Sequence, residues 1–296
     1  MHEPLQKRPL LKAGWLRALI FTIVYACLML LGTNFLPQLA KMAAISVDIK
    51  GDSWDGSFLG LGIVLNLLLS IGLVALCRRL LDRSTFKSLG LAMRSLASPL
   101  HGFALATSLL GAGTMILYFS KHLRWVDITP NGNDLFIELG IMIMIGFYEE
   151  IVFRGYVLQN LLKSWNKWLA LAVSSLVFAS FHLNNPGMTL IPFINLFLAG
   201  VILGISYVYT KNLWFAIAFH FAWNFFQGPI LGYKVSGLTL SALLQTEMKG
   251  DDLLTGGSFG FEGSVIDIGL SLLAIWWLYS TLQKKYATVP DVSVES

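Results

Sequence analysis

Residues 56–77 read GSFLGLGIVLNLLLSIGLVALC, an unbroken run without a charged side chain. A membrane-spanning helix needs about 20 mostly apolar residues, because each residue adds about 1.5 Å and the hydrocarbon core is roughly 30 Å thick. The run therefore predicts a transmembrane helix. It is the clearest of several such stretches in the chain.

Seven other stretches qualify by the same reasoning, although the fourth and eighth spans contain acids and the fifth is short. In chain order the eight predicted spans are 16–36, 58–77, 100–119, 135–153, 168–183, 190–209, 213–231 and 264–282. We expect an all-α, polytopic transmembrane helix bundle of about eight spans, with seven as the alternative count. One transmembrane domain is expected over residues 1–296, with a polar C-terminal tail at 284–296.

The composition agrees with a membrane location. Of the 296 residues, 55% are apolar and 13% are charged, whereas roughly a quarter of a soluble domain is charged. The excess apolar residues are expected to face membrane lipids. The net charge of +4 is explained by basic residues in the loops on one side of the membrane. We therefore expect no nucleic-acid partner. Cys27 and Cys77 both lie in apolar runs and are expected to be free thiols.

The basic residues indicate an orientation. If the N-terminus is cytoplasmic, 15 of the 21 lysines and arginines fall on the cytoplasmic side of the eight spans. This bias is what the positive-inside rule demands. Both termini are therefore predicted to be cytoplasmic, and the short, compact chain favours the cytoplasmic (inner) membrane of a bacterium.

Three polar clusters interrupt the predicted spans, and the first closes the fourth span. Ionisable side chains inside a membrane helix cost about 2.5–3.5 kcal/mol each, so they mark function by default. Glu150 and Arg154 are four residues apart and can pair along one helix face, which leaves Glu149 free to face the bundle interior. The alternative is a helix end whose charges reach the headgroups.

The other two clusters are His182, late in the fifth span, and His220 with Asn224 in the seventh. His220 and Asn224 are four residues apart and share a helix face. A single histidine in an apolar helix can be a hydrogen-bonded core residue. A His–Asn pair can also join neighbouring helices by hydrogen bonds.

Together, the three clusters favour a shared site. Polar groups in lipid must find partners, so the clusters are expected to converge on one internal cavity. A carboxylate, two imidazoles and an amide around a water molecule can perform hydrolysis. The rival functions are a proton- or ion-coupled transporter and a non-catalytic membrane scaffold.

The order and spacing of these residues resemble a known family. Residues 149–154 read EEIVFR, residues 178–182 read FASFH and residues 220–224 read HFAWN. This series resembles the CPBP family of CAAX proteases and bacteriocin-processing enzymes, also called the Abi family. The resemblance covers about residues 135–230, the expected catalytic core, and implies an intramembrane endopeptidase acting on membrane-associated peptides or proteins.

The resemblance also implies residue roles. Glu149 is similar to the family's water-activating carboxylate, and His182 is similar to its partner. His220 and Asn224 match the pair that holds the oxyanion.

Glu150 and Arg154 resemble a supporting ion pair. The family's mechanism is open between a metal-free glutamate protease and a metalloprotease. A Zn²⁺ ion held by Glu149, His182 and His220 is therefore the alternative to a reaction without a cofactor.

Two further expectations concern the C-terminal third. The segment 232–263 is expected to be a solvated external loop, with a lid or a substrate-entry element as the alternative. Asp267, early in the eighth span, is expected to reach outward to the interface rather than into the site.

Overall fold

The computed structural model describes residues 8–45, 49–50, 53–54, 56–93 and 95–286. Most of the predicted polar tail, residues 287–296, lies outside the described residues. The tail's first three positions, 284–286, form the last turn of the final helix.

Helices dominate the described residues. Eight of them, α1 to α8, have twelve or more residues and each overlaps one predicted stretch: Gly14–Met42, Gly56–Cys77, Ala97–Phe119, Gly132–Glu150, Lys167–Ser180, Leu190–Thr210, Trp214–Phe225 and Val265–Tyr286. π-Helical turns extend α2, α4 and α7 at Arg78–Asp82, Ile151–Leu158 and Phe226–Ile230. Shorter helical turns lie at Phe86–Leu89, Gln159–Leu161, Asp252–Thr255, Gly257–Phe259 and Phe261–Gly263.

Five helices in the described part of the chain are long and apolar enough to cross a membrane, judged by length and composition. They are α1, α2, α3, α6 and α8. The helices α5 and α7 are shorter, and α4 carries acids at both ends. The described chain is thus mostly helical with five candidate membrane spans, whereas the count of eight spans remains a prediction.

The outer faces of the long helices are apolar. Leu30 and Phe35 of α1, Leu68 of α2 and Trp276 of α8 are all exposed. Large exposed apolar surfaces are rare on monomeric soluble proteins and mark contact with lipid or a partner. These residues agree with a bundle whose outer surface faces hydrocarbon.

Helix α7 is central in the bundle, because it packs against α3, α4 and α6. Its contact with α3 depends on Gly102, where an added Cβ would lie 2.2 Å from the backbone oxygen of Phe215. The α5–α6 contact is similarly close at Gly200, whose Cβ would meet Ser175 at 2.8 Å. Small residues of this kind let membrane helices approach closely.

Short strands lie outside the helices. Ile49–Lys50 pairs with Ser53–Trp54, and Leu123–Ile128 pairs antiparallel with Leu244–Met248. In the second pair Arg124 lies opposite Glu247 and forms an ion pair with it. Hydrogen bonds from Lys249 and Arg124 hold the pKa of the exposed Glu247 carboxyl below its usual value. This sheet ties the segment after α3 to the segment before α8.

The segment 232–263 differs from its prediction. A solvated loop was expected, but Phe259 and Phe261 are completely buried, and Glu262 is also buried. The Phe261 ring packs onto α3 at Gly113, where a Cβ would lie 2.2 Å from the ring. The expectation is wrong for both ends of the segment, where residues 233, 235 and 259–263 are buried, and the Phe261 ring lies between α3 and Trp223 of α7.

Two basic residues at helix ends, Arg17 and Arg78, are buried. Arg17 donates to Asp82 at 2.9 Å, and Arg78 donates to the same carboxylate at 3.3 Å. Arg78 also donates to Gln159 at 2.9 Å. The shared acid compensates the buried charges and joins the ends of α1 and α2 to the chain after α4.

The close contact at Gly102 yields a stability prediction. We expect Gly102→Ala to lower the free energy of unfolding by about 1–3 kcal/mol, because the new methyl group meets backbone atoms that cannot move aside. Gly111→Ala in the same helix is the matched control, since among the described residues no atom beyond its own helix backbone lies within 4 Å of the added Cβ. Denaturant unfolding in detergent measures both, and equal stabilities would contradict the packing described here.

Candidate active site

One cavity of about 390 Å³ opens inside the bundle. Its wall includes side chains from all three polar clusters, namely Glu149, His182, His220 and Asn224. Apolar residues of α1 and α2, such as Met29 and Ile63, form another part of the wall. The structure therefore brings together four of the six site residues predicted from the sequence, and the remaining two lie behind them.

Glu149 and Glu150 occupy the last two positions of α4, directly before the π-helical turn. π-Helical turns inside longer helices are rare and frequently occur at functional sites. The two carboxylates point in different directions, since Glu149 lines the cavity and Glu150 is completely buried. The Glu149 Oε2 atom has no hydrogen-bond partner among the described residues.

Glu150 is held by two side chains. Arg154 Nη1 donates to Glu150 Oε1 at 2.7 Å, the pairing that the four-residue spacing predicts. The same oxygen lies 2.9 Å from His220 Nδ1, which donates to it when the carboxylate is ionised. Arg154 also donates to the backbone oxygen of Gly200 at 3.3 Å, and its guanidinium lies 4.4 Å from the centre of the Phe178 ring.

His220 stands between the two glutamates. Its Nδ1 atom faces Glu150, and its Nε2 atom lies 3.9 Å from Glu149 Oε2. The second distance is too long for a direct hydrogen bond. The sequence did not indicate that His220 contacts Glu150, because the contact joins residues 70 positions apart.

His182 lies two residues beyond the end of α5, in a turn. Its Nδ1 atom is 2.9 Å from the backbone oxygen of Phe178 and donates to it. This bond fixes the tautomer and leaves Nε2 as the reactive atom of the neutral ring. The Phe178 ring lies 4.8 Å from the His182 ring and 6.2 Å from the His220 ring, so it spaces the two imidazoles.

Asn224 is the penultimate residue of α7 and lies one turn after His220. The side chain is buried and lines the cavity. Within the described residues its amide has no assigned hydrogen bond, so both amide atoms are available to a bound molecule.

Sequence reasoning missed the polar groups of the first two helices. The Tyr25 hydroxyl of α1 lies 3.2 Å from Ser70 Oγ of α2, and Tyr25 lines the cavity. Tyr148 interacts with Asn66 of α2 and with Glu149. Asn66 and Ser70 are the polar interruptions of the apolar run 56–77, which is the signal that indicates an inward face.

The direction predicted for the Asp267 side chain is wrong. The sequence predicted an outward side chain, but Asp267 is only 4% exposed and lines the cavity. It belongs to a buried stripe of α8 that includes Ser271, Ala274 and Leu278. An aspartate is too short to reach the interface as lysine and arginine do, so the helix face decides its environment.

The zinc alternative requires Glu149, His182 and His220 around one ion. In the part of the chain that the structure describes, no group of three or more His, Cys, Asp or Glu side chains is arranged to hold a metal ion. The three predicted ligands therefore do not fit a three-ligand zinc site in this arrangement.

Comparison with known proteins identifies the same region. Residues 131–226 match the family model described as "Type II CAAX prenyl endopeptidase Rce1-like", which covers about a third of the chain. No curated protein and no solved structure matches the chain. The apolar helices and the family match together define an integral membrane protein. Over residues 131–226 the chain is similar to the CAAX protease family, and this match supports the family that the resemblance implied.

The buried ion pair yields a second prediction. We expect Arg154→Met to lower the free energy of unfolding by about 3–5 kcal/mol, because it leaves Glu150 as a buried carboxylate without its cation. Arg124→Met is the control, since it removes the cation of the exposed Glu247 pair and is expected to change stability little. Thermal unfolding in detergent measures both. An equal loss in the two variants would contradict a special role for the buried pair.

Proposed function

We propose that this protein is an intramembrane endopeptidase that hydrolyses peptide bonds of membrane-associated peptides or proteins. The observation that carries the proposal is the unpartnered Glu149 Oε2 atom in a cavity shared with His182, His220 and Asn224. The family match supports a protease, and the role proposed for each residue is the one that the resemblance implies.

Glu149 is the proposed general base. A water molecule near Glu149 Oε2 gives a proton to the carboxylate as its oxygen bonds to the scissile carbonyl carbon. The same proton then passes to the departing nitrogen as the C–N bond breaks. His182 assists through Nε2, the ring atom that remains once Nδ1 is bonded to Phe178.

The proposed oxyanion site consists of His220 and Asn224. The Asn224 amide can donate directly to the oxygen that gains negative charge in the tetrahedral intermediate. His220 Nε2 donates only when the ring carries both protons, and the carboxylates of Glu149 and Glu150 stabilise that positive charge. Arg154 and Glu150 position the His220 ring.

We also propose the number of membrane spans and the orientation predicted from the sequence. All eight helices would cross or enter the bilayer, with both termini in the cytoplasm, and the host membrane would be the inner membrane of a bacterium. The five long apolar helices support the membrane location. Substrates would reach the cavity through the lipid or from the adjacent interface.

Replacement of the site residues tests the catalytic assignment. We expect Glu149→Gln and His182→Ala to reduce peptide cleavage about 10²–10⁴-fold, because each removes proton transfer. Asn224→Ala is expected to cost about 10²–10³-fold, the usual effect of one oxyanion donor. The measurement is the cleavage rate of a quenched fluorescent peptide by purified protein in detergent.

Two exposed residues outside the cavity supply the controls. Glu247→Gln and His101→Ala make the same chemical changes on the surface and are expected to keep full activity. Retained cleavage in Glu149→Gln or His182→Ala would refute the assignment. A wild type that cleaves no peptide but takes up a solute into proteoliposomes would favour a transporter instead.

A chelator tests the proposed independence from metal. We expect cleavage to persist after treatment with a strong chelator, with less than one equivalent of zinc in the purified protein, because Glu149 supplies the base by itself. Elemental analysis and the cleavage assay are made on one preparation. Loss of activity on chelation and its return with added Zn²⁺ would establish the metalloprotease alternative.

A further inference from the structure

A second polar wall faces the same cavity as Glu149. It consists of Asn195 from α6, Glu262 from the segment before α8, and Asp267 from α8. All three side chains are at least nine-tenths buried. The proposed hydrolytic mechanism uses none of them, so the polar wall requires a separate explanation.

Glu262 has partners on both carboxylate oxygens. Oε1 accepts a hydrogen bond from Trp223 Nε1 at 3.0 Å, and Oε2 accepts from the Ser236 N–H at 2.8 Å and hydroxyl at 3.1 Å. These donors stabilise an ionised carboxylate. Trp223 directly precedes Asn224, so the polar wall adjoins the proposed oxyanion site.

Asp267 and Asn195, unlike Glu262, have acceptor oxygens with weak or missing hydrogen-bond partners. The only assigned contact of the Asp267 carboxylate within the described residues is Ser271 Oγ at 3.5 Å, the outer limit of a hydrogen bond. Asn195 donates its amide to the backbone oxygens of Glu262 and Ser264 at 2.7 and 2.8 Å. Its Oδ1 atom is buried without a partner. The wall therefore has acceptors in excess of donors.

The charged residues that line the cavity also favour a positively charged ligand. Its lining among the described residues includes the acids Glu149, Glu262 and Asp267 but neither lysine nor arginine. Arg154 is buried outside this lining and is paired with Glu150. In a low-dielectric interior such a cavity attracts a cation that can donate hydrogen bonds.

We propose that Asp267 and Asn195 form a subsite that binds a cationic side chain of the substrate, the ammonium of lysine or the guanidinium of arginine, close to the scissile bond. The inference rests on the proposed function for the identity of the ligand as a peptide. Lysine and arginine carry only donors, which complements the unsatisfied acceptor atoms of Asp267 and Asn195. Glu262 fixes the wall and adds to its negative potential.

Peptide binding tests the subsite without requiring cleavage. The probe is a fluorescent, N-acetylated apolar peptide that carries lysine, arginine or norleucine at one position in turn. Norleucine keeps the side-chain length of lysine without its charge, and acetylation removes the terminal amine as a competing cation. Binding to the Glu149→Gln variant in nanodiscs is measured by fluorescence anisotropy.

We expect the lysine and arginine peptides to bind at least about tenfold more tightly than the norleucine peptide at one or more positions, as hydrogen bonds to a charged group commonly give. Adding Asp267→Asn should abolish this ratio, because the amide keeps the shape but not the charge. Adding Asp127→Asn, a change to an exposed strand residue, should leave the ratio intact. Thermal unfolding shows that each variant is folded.

Equal binding of the lysine and norleucine peptides at every position would overturn the subsite, as would a ratio that survives Asp267→Asn. These outcomes are separate from failure of the proposed function. A wild type that never cleaves but still prefers basic peptides would refute the peptidase and keep the subsite. Cleavage by the wild type without any preference for basic peptides would support the peptidase and refute the subsite.

Discussion

The buried ionic chain of Arg154, Glu150 and His220 is the interaction on which the rest of the site depends. A carboxylate in a helix bundle surrounded by lipid is tolerated only if it is paired, and Glu150 Oε1 contacts both Arg154 and His220. Arg154 neutralises it and reaches the backbone of α6, while His220 brings α7 to the same oxygen. One ion pair therefore fixes three helices and aims the His220 ring at Glu149.

Close helix packing holds the side chains of the site at fixed positions. Gly102 lets α3 touch the backbone of α7, and Gly200 lets α6 approach α5. Phe178 fills the space between His182, His220 and Arg154, so the two histidines cannot collapse onto each other. The polar cavity is thus surrounded by tightly packed apolar side chains, which keeps its few polar groups at defined positions and limits access by water.

Two of the three residues of the polar wall lie outside the region that the family model matches. Residues 131–226 carry the family match, whereas Glu262 and Asp267 lie beyond it. Trp223 is the link between the two regions, because it belongs to α7 and donates to Glu262. The matched region supplies the proposed chemistry, and the unmatched region, together with α1 and α2, shapes the rest of the cavity and so affects which substrates fit.

The membrane class, the approximate positions of eight helices and the candidate residues Glu149, His182, His220 and Asn224 could be predicted from the sequence, because hydrophobic length and helical spacing are local properties. The Glu150–His220 contact, the burial of Phe261 and the inward direction of Asp267 became apparent only from the folded arrangement. Each of these features depends on which faces of distant helices meet. The pattern of apolar residues does not identify those faces, because a membrane helix is apolar on both its lipid-facing and its buried side.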